Sequence, residues 1–159
     1  MATVASDVRI DSGSSADIDS VMTVMDRAFG DRFGEAWSRS QLAGILPMGG
    51  VWLSLARESG SDNVIGFSLV RSVADESELL LIAVLPTHHR RGVGRRLLEQ
   101  FLERARNGRI AKAHLEVRDG NPAVSMYEDA GFSAVGRRRN YYHAPDGTRF
   151  DAITLAREL

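Results

Sequence analysis

Cysteine is absent from all 159 residues. No disulfide framework, thiolate metal site, redox CxxC pair or cysteine acyl-enzyme can therefore form. Long apolar runs are missing too, since none approaches the ~18 residues that a bilayer-spanning helix needs. Met1 to Ser15 has no basic region ahead of an apolar core, so no signal peptide is expected there. Charge of one sign is lacking overall, because 20 basic residues face 21 acidic ones for a net of −1. That balance argues against a dedicated nucleic-acid binder, which draws its affinity mainly from neutralising phosphates. Internal repeats and low-complexity tracts are also missing. The expectation is one domain over residues 1–159, cytoplasmic and without a membrane partner, of an oligomeric state the sequence leaves open.

What is present looks ordinary in total: 43% hydrophobic and 26% charged residues, the mix of a globular protein. The distribution is less even. Residues 1–80 carry 6 basic and 12 acidic side chains, a net of −6, whereas residues 81–159 carry 14 and 9, a net of +5. Lys112 is the single lysine, and every other basic residue is arginine. Two basic clusters stand out, His88 to Arg96 and Arg137-Arg138-Arg139. The second reads as a solvated edge strand, with acidic or RNA contacts as the weaker alternative.

Hydrophobic periodicity orders the elements. A first strand is expected over residues 8–11, then a helix capped by Ser15 whose apolar residues Ile18, Val21, Met22, Met25 and Phe29 keep helical spacing. Ser38 and Gln41 fit a capping box for a second short helix that must end by Pro47. Strand-like runs at 51–57, 64–73 and 78–84 suggest an antiparallel meander. The last of them, Leu79 to Val84, lacks alternation, as expected of a strand buried on both faces. Val93, Leu97, Leu98, Phe101, Leu102 and Ala105 then mark an amphipathic helix, and a strand over 113–118 comes after it. Asn121 with Pro122 opens a helix that Gly131 ends, and two strands over 132–142 and 150–156 close the chain. The order β-α-α-β-β-β-α-β-α-β-β defines a mixed α/β (α+β) layer structure.

The most informative segment joins the meander to the amphipathic helix through Arg90-Arg91-Gly92-Val93-Gly94-Arg95. Glycines let a backbone approach a ligand closely, and unpaired N–H groups at a helix start attract anions. Arginines add bidentate donors for phosphate oxygens. A phosphorylated ligand, specifically a pyrophosphate, is the inference; a tight turn with solvated arginines would read alike. A P-loop is excluded because no Gly-Lys pair exists, and a dinucleotide fingerprint because Leu97 stands where its third glycine belongs. No metal is expected: His88 and His89 are adjacent, His114 and His143 isolated, and no ligand spacing appears.

Val84-x-Pro86-x-x-x-Arg90-Arg91-Gly92-Val93-Gly94-Arg95-x-Leu97-Leu98 resembles the acyl-CoA-binding motif of the GCN5-related N-acetyltransferases (GNAT). Leu115-Glu116-Val117-Arg118, Asn121 and Tyr127-Glu128-x-x-Gly131-Phe132 continue it in order. Arg138-Arg139-Asn140-Tyr141-Tyr142, with Asp146-Gly147 and Asp151-Ala152, is similar to the bacterial ribosomal-protein alanine N-acetyltransferases. The resemblance implies a mostly antiparallel twisted sheet of about six to seven strands flanked by about four helices. It implies acetyl-CoA as co-substrate, its pyrophosphate on the amides of Arg90, Arg91, Gly92, Val93, Gly94 and Arg95, and its pantetheine arm paired with the backbone of Ile82, Ala83 and Val84.

The implied reaction is attack of an amine on a thioester, with Glu116 as general base and Tyr127 as general acid. Asn121 would touch the cofactor, and Tyr141 and Tyr142 would hold the acceptor, a peptide or protein N-terminus of the ribosomal-protein kind. Each has a plainer alternative: a solvated strand glutamate for Glu116, core packing for Tyr127, a helix cap for Asn121, and an aromatic pair for the two tyrosines. Two departures stand out. His89 replaces the usual Gln or Arg, and Glu116 and Tyr127 are one residue closer in sequence than the subfamily has them. A small-molecule or lysine amine is the alternative acceptor, and a non-catalytic acyl-CoA sensor the alternative role. The acidic first half is expected to line the side where a cationic amine arrives.

Overall fold

The computed structural model describes residues 8–159. The expectation of no leader at Met1 to Ser15 falls in part on residues 1–7, outside the described residues. The elements keep the expected order: β1 (Val8–Gly13), α1 (Ile18–Phe29), α2 (Arg39–Ile45), β2 (Val51–Glu58), β3 (Val64–Val73), β4 (Glu76–Val84), α3 (Val93–Asn107), β5 (Lys112–Arg118), α4 (Val124–Asp129), β6 (Ser133–His143) and β7 (Arg149–Glu158). They build one seven-stranded sheet in the order β1-β2-β3-β4-β5-β7-β6. Every neighbouring pair is antiparallel except β4 and β5, which the crossover helix α3 connects.

Two apolar layers fix the helices on opposite faces. Val21, Val24 and Met25 of α1 and Leu42 of α2 bury against Leu53, Leu55, Phe67 and Leu69. Leu98, Phe101 and Leu102 of α3 bury against Val70, Leu79, Leu115 and Val117 on the other face, where Tyr127 and Phe132 join them. Each such side chain contributes roughly 1.5–3 kcal/mol on removal from water. Local signals place the helix starts. Ser38 and Gln41 form the expected capping box. The first helix is capped one residue earlier than expected: Ser14, not Ser15, forms a box with Asp17 around a 3-10 turn. A box needs the acid three residues on, and Asp17 stands there only for Ser14.

β4 is covered by apolar layers on both faces, as expected, with Leu79, Leu81 and Ala83 buried and Leu80 and Ile82 half-buried. Its regularity is broken by a bulge. Leu69 of β3 faces Leu81 while Val70 faces Leu79, so Leu80 is the extra residue. A one-residue slip flips faces, so Leu79 packs with α3 whereas Leu81 and Ala83 pack with α1. At the same place the β4–β5 ladder ends: its register runs from Glu76↔Lys112 to Leu79↔Leu115 and no further. Beyond that rung the two strands part and leave an opening in the middle of the sheet.

The α1–α2 connection is fastened to the β6–β7 hairpin beside the opening. In the α1–α2 connection Phe33 meets Phe150 edge-on at 5.2 Å, and Gly34 lies against the backbone of His143. A Cβ at Gly34 would fall on the His143 carbonyl oxygen, and its φ of +71° already disfavours any other residue. Gly34→Ala is therefore expected to lower stability by at least about 1 kcal/mol. It should also loosen the connection, measured as a fall in Tm and faster amide exchange around residues 33–37. An unchanged Tm would show that the two segments are not fastened there.

Candidate active site

The opening between β4 and β5 is a cavity of about 110 Å³. Its walls are residues 78–82 of β4 and 115–118 of β5, closed by Glu35 and Trp37 from the α1–α2 connection, Asn121 and Tyr127 around α4, and Tyr141 and Tyr142 of β6. All three tyrosines of the chain line it. Glu116, Tyr127, Asn121, Tyr141, Tyr142 and Ile82, singled out from sequence, thus meet at one place.

Alternation along β5 places Glu116. Its neighbours Leu115 and Val117 sit in the layer with α3, so the carboxylate projects from the opposite face. It is 9% exposed, with Arg138 Nε 3.1 Å from Oε1. Thr154, its register partner on β7, donates from Oγ1 to Oε2 at 2.6 Å. It is not the solvated strand glutamate of the plainer reading. Oε2 has one hydrogen-bond donor and Oε1 an ion-pair partner, so both oxygens keep capacity for a further hydrogen bond or a proton. Arg137 to Arg139 lie exposed on the edge strand β6, as expected, and two of them also make ion pairs, Arg138 with Glu116 and Arg137 through Nη1 with Asp119 at 2.8 Å and Asp151 at 2.9 Å.

Tyr127 comes from the other face. Its ring packs edge-on against Phe132 with centroids 6.1 Å apart, so its apolar spacing is a packing role as well. The hydroxyl reaches the cavity and makes no hydrogen bond among the described residues. Burial, and then the charge of Glu35, push this phenol well above the ordinary tyrosine range. It holds its proton at neutral pH and is a donor without an acceptor. Carboxylate and phenol therefore approach the opening from opposite sides of the sheet.

Tyr141 and Tyr142 are consecutive strand residues yet line the same cavity. A wide bulge makes this possible: from Arg138↔Ala152 to Tyr142↔Phe150, β6 advances four residues while β7 advances two. Asn140 sits in the bulge at φ +53°, its N–H donating to Asp151 Oδ1 at 2.9 Å. That bond, with Arg137 beside it, holds the Asp151 carboxyl below its usual range. The Tyr142 hydroxyl donates to the Glu116 carbonyl at 3.4 Å. Burial raises both phenols, helped by Tyr141 and Glu35 at Tyr142 and by Glu116 at Tyr141.

Glu35 and Arg118 were not singled out as site residues from sequence. Their side chains are 11% and 10% exposed, with Arg118 Nε 3.4 Å from Glu35 Oε2. The guanidinium lies 3.6 Å over the Phe33 ring. Asn121 Nδ2 donates to the same Glu35 oxygen at 3.0 Å, while Asn121 Oδ1 accepts from the Ala123 N–H at 2.8 Å. Asn121 is not the expected helix cap: α4 starts only at Val124 with Ala123 at its N-cap and no side-chain cap, so Asn121 Oδ1 closes the turn ahead of the helix while Nδ2 ties that turn to the α1–α2 connection. Glu35 lies where periodicity is silent, and only the acidic bias of the first half hinted at it.

The glycine loop lies beyond the cavity, at the far end of β4. Ala83 and Val84 lead to a 3-10 turn, Pro86–His88, and Gly92 at φ +78° turns the chain into α3. The first intrahelical bond is Arg96 N–H to the Gly92 carbonyl at 3.0 Å. Val93, Gly94 and Arg95 N–H groups therefore have no helical acceptor. Val93 buries its side chain in the core and offers only its backbone. The His89 ring donates to the Val84 carbonyl at 2.8 Å, an internal tie between loop and strand end. Arg90 and Arg91 are exposed beside the loop, and Arg95 is 3.7 Å from Asp129 in a largely exposed pair.

Comparison with known proteins gives concordant matches. The acetyltransferase (GNAT) family profile matches residues 18–132. A [ribosomal protein bS18]-alanine N-acetyltransferase of Haemophilus ducreyi is 32% identical over 121 residues, covering 76% of this chain and 81% of that protein. Its Haemophilus influenzae namesake is 38% identical over 96 residues, 60% of this chain and 66% of that protein. The Escherichia coli K12 relative is 43% identical over 91 residues, with 57% and 61% covered. These last two alignments span slightly less than two thirds of the relatives' length. Among solved structures, the Escherichia coli ribosomal-protein-S18-alanine N-acetyltransferase superposes with a TM-score of 0.84 at 32% identity, covering 95% of this chain and 93% of that one.

With every tyrosine at the cavity, tyrosinate absorbance titrates this site and nothing else. All three phenols are raised, so in the folded protein they should ionise above pH ~10, the ordinary value, and in the unfolded chain near it. Their stabilisation is complete below pH ~10 and is lost as pH rises, because the unfolded chain releases protons that the fold retains. Superimposable titrations of folded and unfolded protein would contradict this placement of the tyrosines.

Proposed function

The chain belongs to the acetyltransferase (GNAT) family, and from that premise we propose that it transfers the acetyl group of acetyl-CoA directly to the N-terminal amine of a protein. An N-terminal alanine of a ribosomal protein is the acceptor class that the names of its relatives suggest. One observation carries the assignment of roles: a buried carboxylate, Glu116, and a buried phenol without a hydrogen-bond partner among the described residues, Tyr127, border the same opening from opposite sides.

The residues present suit acetyl-CoA. From Leu80 to Val84 the β5-facing edge of β4 has no strand partner among the described residues, so its backbone groups are available to an extended amide chain such as pantetheine. Ile82, Ala83 and Val84 would make those contacts. The N–H groups of Val93, Gly94 and Arg95, with exposed Arg90 and Arg91 and the Gly92 turn, suit a pyrophosphate. Asn121, held by Ala123 and Glu35, would border the chain rather than anchor it.

Acetyl-CoA supplies an acetyl thioester, whose thiolate is the leaving group. Glu116 takes a proton from the acceptor ammonium and frees the nitrogen lone pair. A bond from that nitrogen to the carbonyl carbon forms, and the carbon–sulfur bond breaks. Tyr127 gives its proton to the departing sulfur, and the second proton shed by the nitrogen restores the phenol. One proton reaches solvent through Glu116. Tyr141 and Tyr142 supply flat walls and hydroxyls for the first residues of the acceptor.

Glu116→Gln and Tyr127→Phe should each lower kcat on a peptide with N-terminal alanine by about 10²-fold or more. Acetyl-CoA affinity should stay within about twofold, because each change removes an interaction made in the transition state. Full turnover in both variants, or product masses placing the acetyl group away from the N-terminus, would overturn the reading.

A further inference from the structure

Strand pairing sets one residue directly behind Glu116. Thr154 of β7 is its register partner, so the two side chains stand beside each other on one face of the sheet. That face is the one opposite α3, because Leu115 and Val117 on β5 and Leu155 on β7 all lie in the α3 layer. The Thr154 hydroxyl donates to Oε2 of Glu116 at 2.6 Å. The next residue in the row, Gly136 of β6, has no side chain to compete for that hydroxyl. β7 adjoins β5 on the side away from β4, so Thr154 reaches the carboxylate from behind and is not part of the cavity wall.

A general base works only if one of its lone pairs meets the acceptor amine at hydrogen-bond distance. A glutamate at the lip of a gap has several staggered rotamers open to it, and most of them miss. Two groups restrict Glu116, and they are unequal. Arg138 Nε lies 3.1 Å from Oε1, but its side chain is 62% exposed, so water and salt screen that pair. Thr154 is half-buried and β-branched, which stiffens its χ1, and its bond to a charged oxygen is of the strong, charge-assisted kind. The hydroxyl is also neutral. It orients Oε2 without cancelling the charge that draws the acceptor ammonium, whereas a second cation there would compete for it.

We propose that Thr154 is a positioning residue for the transfer: its hydroxyl holds the Glu116 carboxylate in the rotamer that meets the acceptor amine. This rests on the reading of Glu116 as the base. Thr154 acts through Glu116 and not by contact with either substrate.

The test is a set of variants of the whole chain, Thr154→Val, Thr154→Ser, Glu116→Gln and the Thr154→Val, Glu116→Gln pair, assayed with acetyl-CoA and a peptide bearing an N-terminal alanine. Valine keeps the shape of threonine and removes the hydroxyl. Thr154→Val should lower kcat by about tenfold and leave the KM for acetyl-CoA within about twofold. Thr154→Ser, which restores the hydroxyl, should bring kcat back to within about threefold of wild type. In the Glu116→Gln background, Thr154→Val should change kcat by less than about twofold, because no carboxylate is left to hold. An equal loss in the valine and serine variants would assign the effect to packing of the methyl group and overturn the proposal. So would wild-type kcat in Thr154→Val, or the same loss with and without Glu116. Those three results leave Glu116 as the base, whereas wild-type turnover in Glu116→Gln would overturn that reading and the proposal with it.

Discussion

β4 and β5 exchange hydrogen bonds only as far as Leu79↔Leu115, and the site is built around the end of that ladder. Buried backbone groups need partners, and a strand that loses its neighbour in the middle of a sheet leaves a row of donors and acceptors facing a gap. The bulge at Leu80 bends β4 where the ladder stops and moves its buried side chains from the α3 face to the α1 face. Glu116 is the first β5 residue past the last pair, so it stands at the lip of the gap. α4, packed behind the opening, brings Tyr127 from the other side. A passage through the sheet, with a carboxylate on one side and a phenol on the other, is suited to joining two substrates that arrive from different directions.

Ion pairs hold the walls of this passage in place. Two of its carboxylates are paired with arginines, but pairing buried ions only offsets the cost of taking them from water. Their value here is positional. Glu35 ties the α1–α2 connection to Arg118 of β5 and, through Asn121, to the turn that opens α4. Arg138 and Thr154 tie Glu116 to the last two strands. Loss of one partner would leave a buried charge and would also free a wall of the cavity.

The fold was largely legible because it depends on periodicity, which is local. The helical spacing of Val93 to Ala105, the Ser38–Gln41 box and the 64–73 strand all stand where the residues placed them. The features that periodicity missed are non-local. Leu79 to Val84 is uniformly apolar, and no pattern within it marks the bulge that swaps faces at Leu80. Glu116 and Tyr127 were visible because a family resemblance named them; spacing alone would have left one a surface glutamate and the other a core tyrosine. Glu35 lies in an irregular connection, and its meeting with Arg118 and Asn121 spans 86 positions in the case of Asn121. Pairings that distant arise from the closed fold, not from any segment of it.

Amide hydrogen exchange of the whole chain, with and without acetyl-CoA, tests most directly whether the parted strand edge is the binding surface. Slowed exchange is expected at residues 80–84 of β4 and at 93–95 at the start of α3, with little change in β1 and β2. Protection confined to other parts of the molecule, or none at saturating acetyl-CoA, would contradict that role for the strand edge.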